Sequence, residues 1–195
     1  MRLILASGSR YRRDMLTRLR LPFTCVSPDI DESPQPGEAP HAMALRLAEE
    51  KAKKIISLHP DSVVIGSDQV ATYAGHIIGK PGNHSAAVAQ LQALSGQEVE
   101  FHSAICVMNT TTTLRDDVIT YCHFHELSLA EIEYYLHCEQ AYDTAGSAKA
   151  ESLGIALMQS MRSDDPTAII GLPLISLCNM LRQLGISPLQ PSLAP

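Results

Sequence analysis

Tryptophan is absent from the 195-residue sequence, and aromatic residues make up only 5% of it, although hydrophobic residues reach 45%, enough for a full core. No apolar run approaches the roughly twenty residues of a membrane-spanning helix, and the N-terminal apolar run is too short for a signal peptide. Basic residues number 15 against 21 acidic ones, and the net charge of −6 disfavours a nucleic-acid polymer as a partner. The composition therefore predicts a cytoplasmic protein that binds neither membranes nor nucleic-acid polymers.

The sequence also lacks the cysteine and histidine patterns of disulfide frameworks and zinc sites. Its five cysteines are odd in number, widely spaced and never in a Cys-x-x-Cys pair, so we expect reduced thiols. One group of thiols and imidazoles has neither zinc-finger spacing nor a His-Glu-x-x-His helix, which makes zinc a weak alternative. This group consists of Cys122, His123, His125, His137 and Cys138.

A local basic segment stands at the N-terminus instead. The apolar run at 2–6 predicts a buried strand, Ser7-Gly8-Ser9 indicates a tight turn, and a helix is predicted from Tyr11. Six of the 15 basic residues lie within the first twenty positions. Because helix N-termini attract anions, the segment predicts a phosphate site for a small molecule. The residues alone also allow a plain helix cap with solvated arginines, and the spacing is not that of a Walker loop.

Two further segments add charged candidates. The proline-rich loop at 27–40 carries an acidic cluster that is either a metal or catalytic group or simply solvated. The cluster consists of Asp29, Asp31 and Glu32. The amphipathic helix predicted at 41–58 offers i,i+4 ion pairs on its solvated face, Glu49–Lys53 and Glu50–Lys54. Arg46 and Lys51 fall outside those pairs, so each either faces a cleft or is solvated.

A central strand carries the strongest single candidate. The β-branched run at 63–65 predicts a strand buried on both faces, and Asp68 follows it directly. Open α/β sheets bind ligands just beyond the carboxyl ends of such strands, so a functional role for Asp68 is favoured over a structural one. A hairpin is predicted at 70–78, and Lys80 returns a cation to the same region.

The remaining pattern predicts one α/β domain over 1–186 and a proline-rich, disordered tail over 187–195. Helices are predicted at 85–94, 128–138 and 173–184, the second with a capping box at Ser128. Strands are predicted at 98–108, 118–126 and 155–161, the first two as an antiparallel pair, with a loop at 141–154.

Taken in order, several short motifs resemble the Maf family of nucleoside triphosphate pyrophosphatases. They are Leu5-Ala6-Ser7-x-Ser9-x-x-Arg12-Arg13, Asp31-Glu32, Arg46-Leu47-Ala48-x-x-Lys51-Ala52, Gly66-Ser67-Asp68-Gln69, Gly79-Lys80-Pro81, Leu94-Ser95-Gly96, Ala145-Gly146-Ser147 and Ile170-Gly171-Leu172-Pro173-Leu174. The ordered set, which spans 3 to about 185, is far more specific than any one member. Tyr11 and Ala145-Gly146-Ser147-x-Lys149-x-Glu151 are similar to the branch that acts on 7-methyl-GTP.

The resemblance implies a Maf- and ITPase-like elongated mixed sheet with two lobes that flank a substrate cleft. It implies hydrolysis between the α- and β-phosphates of a nucleotide, a divalent cation (Mg²⁺ or Mn²⁺), a cytoplasmic location and a homodimer. Asp68 matches the proton acceptor. The matches to phosphate-binding residues are Ser7, Ser9, Arg12, Arg13, Lys51 and Lys80. Tyr11, Gln69 and Glu151 match the residues that set substrate specificity, and Glu32 and Asp68 are the candidate metal ligands.

Three departures from the family pattern concern loop geometry and substrate ranking more than the reaction. Arg10 replaces the usual Pro, Tyr11 replaces the Trp common in this branch, and Asp165-Pro166-Thr167-Ala168 replaces Asp-Pro-Asn-Thr. The chemistry needs no Cys-His or Ser-His pair, so direct attack by water is expected. The alternatives are a Maf pyrophosphatase that prefers dTTP and UTP, and a nucleotide-binding regulator of cell division with little turnover.

Overall fold

The structure, a computed structural model, describes residues 2–190 and consists of one mixed seven-stranded sheet with helices on both faces. The strands are β1 (Arg2–Ala6), β2 (Phe23–Cys25), β3 (Ser62–Tyr73), β4 (His76–Ile78), β5 (Glu98–Met108), β6 (Thr113–Phe124) and β7 (Met158–Ser163). The helices are α1 (Arg10–Thr17), α2 (Pro40–Ile56), α3 (His84–Leu94), α4 (Leu129–Glu139) and α5 (Leu174–Gln183). The predicted mixed α/β class is confirmed.

The strand order is β2-β1-β3-β5-β6-β7. β4 pairs with the same edge of β3 as β1 does, but further along that strand. β1 pairs in parallel with β2 and β3, and the other pairs are antiparallel. At one end of the sheet, α2 packs on one face while α1 and α5 pack on the other. At the opposite end, α3 and α4 form a separate core with Phe101 and Phe124. The long strands β3, β5 and β6 connect the two ends.

β3 is much longer than predicted, because it runs unbroken through the segment expected to be a strand end and a hairpin arm. β5 stays in register with it from Val64 to Thr72, so the ladder continues through Asp68. On its other edge, β3 pairs with β1 as far as Gly66 and with β4 only from Ala71. Among the described strands this leaves one edge of β3 open around Asp68, just beyond the carboxyl end of the parallel strands.

Most other predicted elements are confirmed, with shifted bounds. β6 begins at 113 rather than 118, because its ladder with β5 continues up to the turn at 109–112. β7 begins at 158 rather than 155, because the segment 153–157 forms a 3-10 turn. The capping box of α4 is present, with the hydroxyl of Ser128 and the carboxylate of Glu131 exchanging hydrogen bonds with backbone N–H groups. Of the tail expected to be disordered, 187–190 form a turn and 191–195 lie outside the described residues.

No helix within 2–190 is both long enough and apolar enough to cross a membrane.

Candidate active site

A cleft of about 560 Å³ opens where the edge of β3 is unpaired, between the two ends of the sheet. With one exception, every predicted site residue lines it: Ser7, Ser9, Tyr11, Arg12, Glu32, Lys51, Asp68, Gln69, Lys80 and Glu151. The exception is Arg13, whose side chain is exposed and lies 3.8 Å from Asp14. Residues from six separate stretches of sequence therefore meet in one cavity.

The centre of the cleft is an ion-paired cluster. Lys51 projects from α2, and its Nζ donates a 2.6 Å hydrogen bond to Oδ1 of Asp68 on β3. The same ammonium lies 2.8 Å from Oε1 of Glu32. Lys51 is only 5% exposed and Asp68 only 8%, so each charge depends on its partner. Of the two interpretations left open for Lys51, the structure supports the cleft.

Glu32 is the one member of the acidic loop that reaches this cluster. Burial raises the pKa of its carboxyl, but the hydrogen bond and charge of Lys51, with the charges of Arg12 and Lys80, outweigh burial and lower that pKa overall. Asp31 instead accepts the N–H of Ser33 in a local turn. The pair of carboxylates, Glu32 and Asp68, therefore shares a surrounding of fixed cations.

The N-terminus of α1 faces the same cavity. The side chain of Ser9 caps the helix by accepting the N–H of Arg12, and Oγ of Ser7 accepts the N–H of Ser9 at 3.0 Å. Arg12 donates from Nε to the carbonyl of Gly171 at 3.0 Å, and its Nη2 lies 3.9 Å from Asp68. Burial lowers the pKa of Arg12, while the charges of Asp68 and Glu32 act in the opposite direction. Arg12 is thus a fixed cation beside the helix end.

Arg12 faces the cleft and Arg13 is exposed, so we expect the two neighbouring arginines to differ in their effect on substrate binding. For the nucleoside triphosphate substrate that the family resemblance implies, Arg12→Ala should raise KM by about tenfold or more, because charged hydrogen bonds to a phosphate would be lost. Arg13→Ala is the matched control, and an exposed cation outside the cleft should change KM by less than about threefold. Steady-state pyrophosphate release checks both variants. Equal losses would instead indicate a diffuse electrostatic surface.

The loop at 165–172 contributes residues that line the cleft and contacts that support it, and the sequence did not predict this supporting role. Gly171, with φ of 111°, presents its carbonyl to both Arg12 and the hydroxyl of Ser67. Asp165 accepts the N–H of Ile175 at the start of α5 at 2.6 Å. The hydroxyl of Thr167 donates to Asp165 at 2.6 Å and accepts the N–H of Leu174 at 2.8 Å. Thr167, a departure from the family pattern, therefore stabilises the loop.

Gln69 is held by the same loop. Its amide nitrogen lies 2.9 Å from Oγ of Ser103 and 3.1 Å from the carbonyls of both Ala168 and Ile169. Three acceptors around one NH₂ group fix which end of the amide is the donor. Within residues 2–190 the carbonyl oxygen of Gln69 accepts no hydrogen bond from a side chain or backbone group, and Gln69 lines the cleft.

Two aromatic side chains also line the cleft, Tyr11 and Phe101. The guanidinium of Arg10 lies 5.4 Å from the centroid of the Tyr11 ring. Phe101 was not predicted as a site residue, because an aromatic residue within a long strand is an ordinary core residue. Arg10, the other departure in this segment, packs against Tyr11 rather than disrupting the turn.

Glu151 reaches the cleft from a loop that is fastened to the end of α4. The carboxylate of Glu139 accepts the hydroxyl of Ser152 and the N–H of Leu153, each at 3.0 Å. Lys149 donates from Nζ to the carbonyl of Glu139 at 2.8 Å. Glu139 and Lys149 therefore hold the loop that carries Glu151.

Arg46, the other basic residue left open on α2, does not line the cleft. Its guanidinium binds Glu38 through Nη2 at 2.7 Å and also donates to the carbonyl of Ser33. The hydrogen bond from Arg46 lowers the pKa of Glu38 to about 2. The predicted pair Glu49–Lys53 forms at 2.7 Å, but Glu50 pairs with Arg46 rather than with Lys54. Arg46 thus fastens the acidic loop to α2.

Comparisons with known proteins identify the family of the chain. The family model described as Maf-like protein matches residues 2–184. The 7-methyl-GTP pyrophosphatase of Bordetella avium is 64% identical over 97% of this chain and 96% of its own length. The protein of the same name from Bordetella pertussis is 62% identical over 96% of this chain and 94% of its own length.

Two more distant matches complete the comparison. The 7-methyl-GTP pyrophosphatase of Ralstonia nicotianae is 54% identical over 93% of this chain and 95% of its own length. The structure of the Staphylococcus aureus Ham1 protein matches with a TM-score of 0.45 and 14% identity, over 65% of this chain and 73% of that one. Because a family model covers nearly the whole chain and relatives share more than half of its residues, the chain belongs to the Maf family.

Proposed function

We propose that this protein is a nucleoside triphosphate pyrophosphatase that hydrolyses the α–β phosphate bond of 7-methyl-GTP to 7-methyl-GMP and pyrophosphate. The observation that carries the reaction class is the buried Asp68–Lys51 pair, which lies in one cleft with Glu32 and Arg12. The observation that favours the substrate is identity of 54–64% to proteins named 7-methyl-GTP pyrophosphatase.

The charges of the cleft suit a triphosphate. A nucleoside triphosphate brings about four negative charges, and more charge gathers on the leaving pyrophosphate as the bond breaks. Arg12, Lys51 and Lys80 supply fixed cations for that charge, and the N–H groups at the start of α1 add a partial positive charge. In this proposal the turn around Ser7 and Ser9 shapes the phosphate site.

Asp68 is the group proposed to act on the attacking water. Its carboxylate lines the cleft, where it can orient the water and accept its proton. The hydrogen bond from Lys51 fixes the direction of that carboxylate, and Arg12 lies beside it. Water then attacks phosphorus directly, and no covalent enzyme intermediate is required.

A divalent cation, Mg²⁺ or Mn²⁺, fits the pair formed by Glu32 and Asp68. Both carboxylates lie within 2.8 Å of one ammonium nitrogen, so they are close enough to share a cation. Among residues 2–190, no group of three or more His, Cys, Asp or Glu side chains converges as a metal site. Mg²⁺ is commonly held by one or two carboxylates together with substrate phosphates, which matches this donor set. When bound, the cation would offset charge on the leaving pyrophosphate.

Recognition of the base rests on other residues of the same cleft. Methylation at N7 leaves guanine cationic, so stacking on Tyr11 would gain a cation–π contribution of about 0.5–2 kcal/mol. The carboxylate of Glu151 and the free carbonyl oxygen of Gln69 are acceptors suited to the N1 and N2 donors of guanine. A pyrimidine lacks that pair of donors.

The expected result for substrate choice is a higher kcat/KM for 7-methyl-GTP than for GTP, UTP or dTTP. Tyr11→Ala should lower the preference for 7-methyl-GTP over GTP by roughly 2- to 30-fold, the range of one cation–π contact. Glu151→Gln should lower kcat/KM for both guanine nucleotides relative to UTP, because one donor–acceptor match is lost. Pyrophosphate release across the four nucleotides measures these ratios.

Glu133→Gln is the control. Glu133 lies on α4 outside the cleft, and its carboxylate is within hydrogen-bond distance of His84. Comparable hydrolysis of UTP and 7-methyl-GTP by the wild type would favour the dTTP- and UTP-preferring alternative. Tight nucleotide binding with no pyrophosphate release in the presence of Mg²⁺ or Mn²⁺ would favour the regulator.

We also infer a cytoplasmic homodimer, as the family resemblance implies. All five cysteines are free thiols, and burial raises the pKa of Cys106 and of Cys122 to about 12, which keeps both thiols protonated and unreactive. Light scattering on the purified protein tests the dimer.

A further inference from the structure

The ammonium of Lys51 lies where a cation shared by Glu32 and Asp68 would lie. Its Nζ is 2.6 Å from Oδ1 of Asp68 and 2.8 Å from Oε1 of Glu32. One nitrogen thus binds both carboxylates that suit a divalent cation. A metal ion and this ammonium compete for the same oxygen atoms.

The surroundings make that competition unfavourable for a metal ion on its own. Arg12 lies 3.9 Å from Asp68, and the charge of Lys80 acts on Glu32, so three cations face two carboxylates at this end of the cleft. A divalent cation entering alone meets those like charges. It would also separate Lys51 from its anionic partners.

Lys51 has little exposure to water that could offset the loss. Its side chain is 6% exposed and leaves α2 beside Ala48 and Ala52, which are fully buried against the sheet. An unpaired ammonium in such a place is strongly disfavoured. Lys51 therefore releases the carboxylates only when another anion takes their place.

A triphosphate supplies that anion. We propose that Lys51 is an interlock that keeps a divalent cation off Glu32 and Asp68 until nucleotide phosphates bind, so that metal and nucleotide enter together. This inference rests on the proposed function and adds to it the condition under which the metal ion binds. Lys51 exchanges a carboxylate for a phosphate oxygen, and the freed carboxylate oxygens bind the cation. The device prevents the empty enzyme from holding a metal ion.

Mn²⁺ alone is the probe that tests the interlock. Water-proton relaxation detects Mn²⁺ on a protein and distinguishes it from free Mn²⁺. Wild-type protein should bind Mn²⁺ weakly, and Lys51→Met should bind it at least about tenfold more tightly, because the competing cation is gone. Adding Glu32→Gln to Lys51→Met should remove the gain, because one of the two carboxylates is lost.

Lys53→Met is the matched control, since Lys53 lies on the same helix, its side chain is 62% exposed, and its ion pair among the described residues is with Glu49. It should bind Mn²⁺ as the wild type does. Thermal unfolding verifies that each variant is folded.

A wild-type arm keeps the test decisive even if Lys51→Met does not fold. The α,β-methylene analogue of GTP, which cannot be cleaved at that bond, should raise the relaxation enhancement of wild-type protein well above that of the Mn²⁺–analogue complex alone. Strong binding of Mn²⁺ to wild type without the analogue, or no gain in folded Lys51→Met, would overturn the interlock. Failure of the proposed function is seen separately, as absence of pyrophosphate release from 7-methyl-GTP.

Discussion

Asp68→Asn is expected to lower kcat by at least about 100-fold, the lower end of the contribution of a positioned general base. The amide has the size of the carboxylate and can still accept a hydrogen bond from Lys51, so the cleft should keep its shape. It cannot take a proton from water, and it removes one negative charge from the proposed metal pair. Nucleotide binding should persist, because Arg12 and Lys80 are unchanged.

Single-turnover pyrophosphate release separates the chemical step from binding, and equilibrium titration with the α,β-methylene analogue measures affinity directly. Asp164→Asn is the control, because Asp164 is exposed and lies outside the cleft. If Asp68→Asn retained a kcat within about tenfold of wild type, a transition-state role above about 1.4 kcal/mol would be untenable.

The helix and strand pattern could be predicted where local signals dominate. The capping box at Ser128 located the start of α4 because both of its hydrogen bonds are local. β5 was predicted with its observed bounds. A long run that contains β-branched residues lies there between a turn with Gly96 and a Thr-rich turn.

The length of β3 could not be predicted, because it is decided by a distant partner. The polar residues Ser67, Asp68 and Gln69 indicated a strand end, and only the ladder with β5 carries the strand through them. That difference matters for the site, since Asp68 is held on a rigid strand rather than on a loop.

For Lys51 and Arg46, the helical periodicity of α2 could have predicted which of the two side chains is buried. Lys51 follows Leu47 and precedes Ile55 at intervals of four, so it belongs to the apolar stripe of α2, a sign that its charge is buried. Arg46 lies about 140° away around the helix, since five residues turn about 500°. Its partner Glu38 lies at the end of the loop that precedes α2, and the sequence did not define the path of that loop.

Arg12 and Arg13 could not be separated from sequence, because both begin the same helix and both match the family motif. The structure distinguishes them through Gly171, whose carbonyl binds the Arg12 side chain from the other end of the chain. The supporting role of the loop at 165–172 could not be predicted for the same reason, since its hydrogen bonds join Asp165, Thr167 and α5 only after folding.

Gly66→Ala is expected to destabilise the protein by about 3 kcal/mol or more, at or above the upper end of ordinary overpacking. Gly66 lies on β3 where α2 comes closest to the sheet, and the helix presents only small residues there. A Cβ at position 66 would overlap the carbonyl oxygen of Ala48 and lie 2.9 Å from the backbone nitrogen of Ala52. Both atoms belong to the helix backbone, so no side-chain rotation relieves the clash.

For a chain of this size, 3 kcal/mol corresponds to a fall in Tm of roughly 6–12 °C, which scanning calorimetry measures directly. Gly79→Ala is the control, because a Cβ there meets nothing within 4 Å, and its stability should stay within about 0.5 kcal/mol of wild type. Folded Gly66→Ala should also lose kcat, since moving α2 away from β3 separates Lys51 from Asp68. A Tm equal to that of Gly79→Ala would mean that α2 does not pack on β3 as closely as described, and that Lys51 reaches Asp68 in some other way.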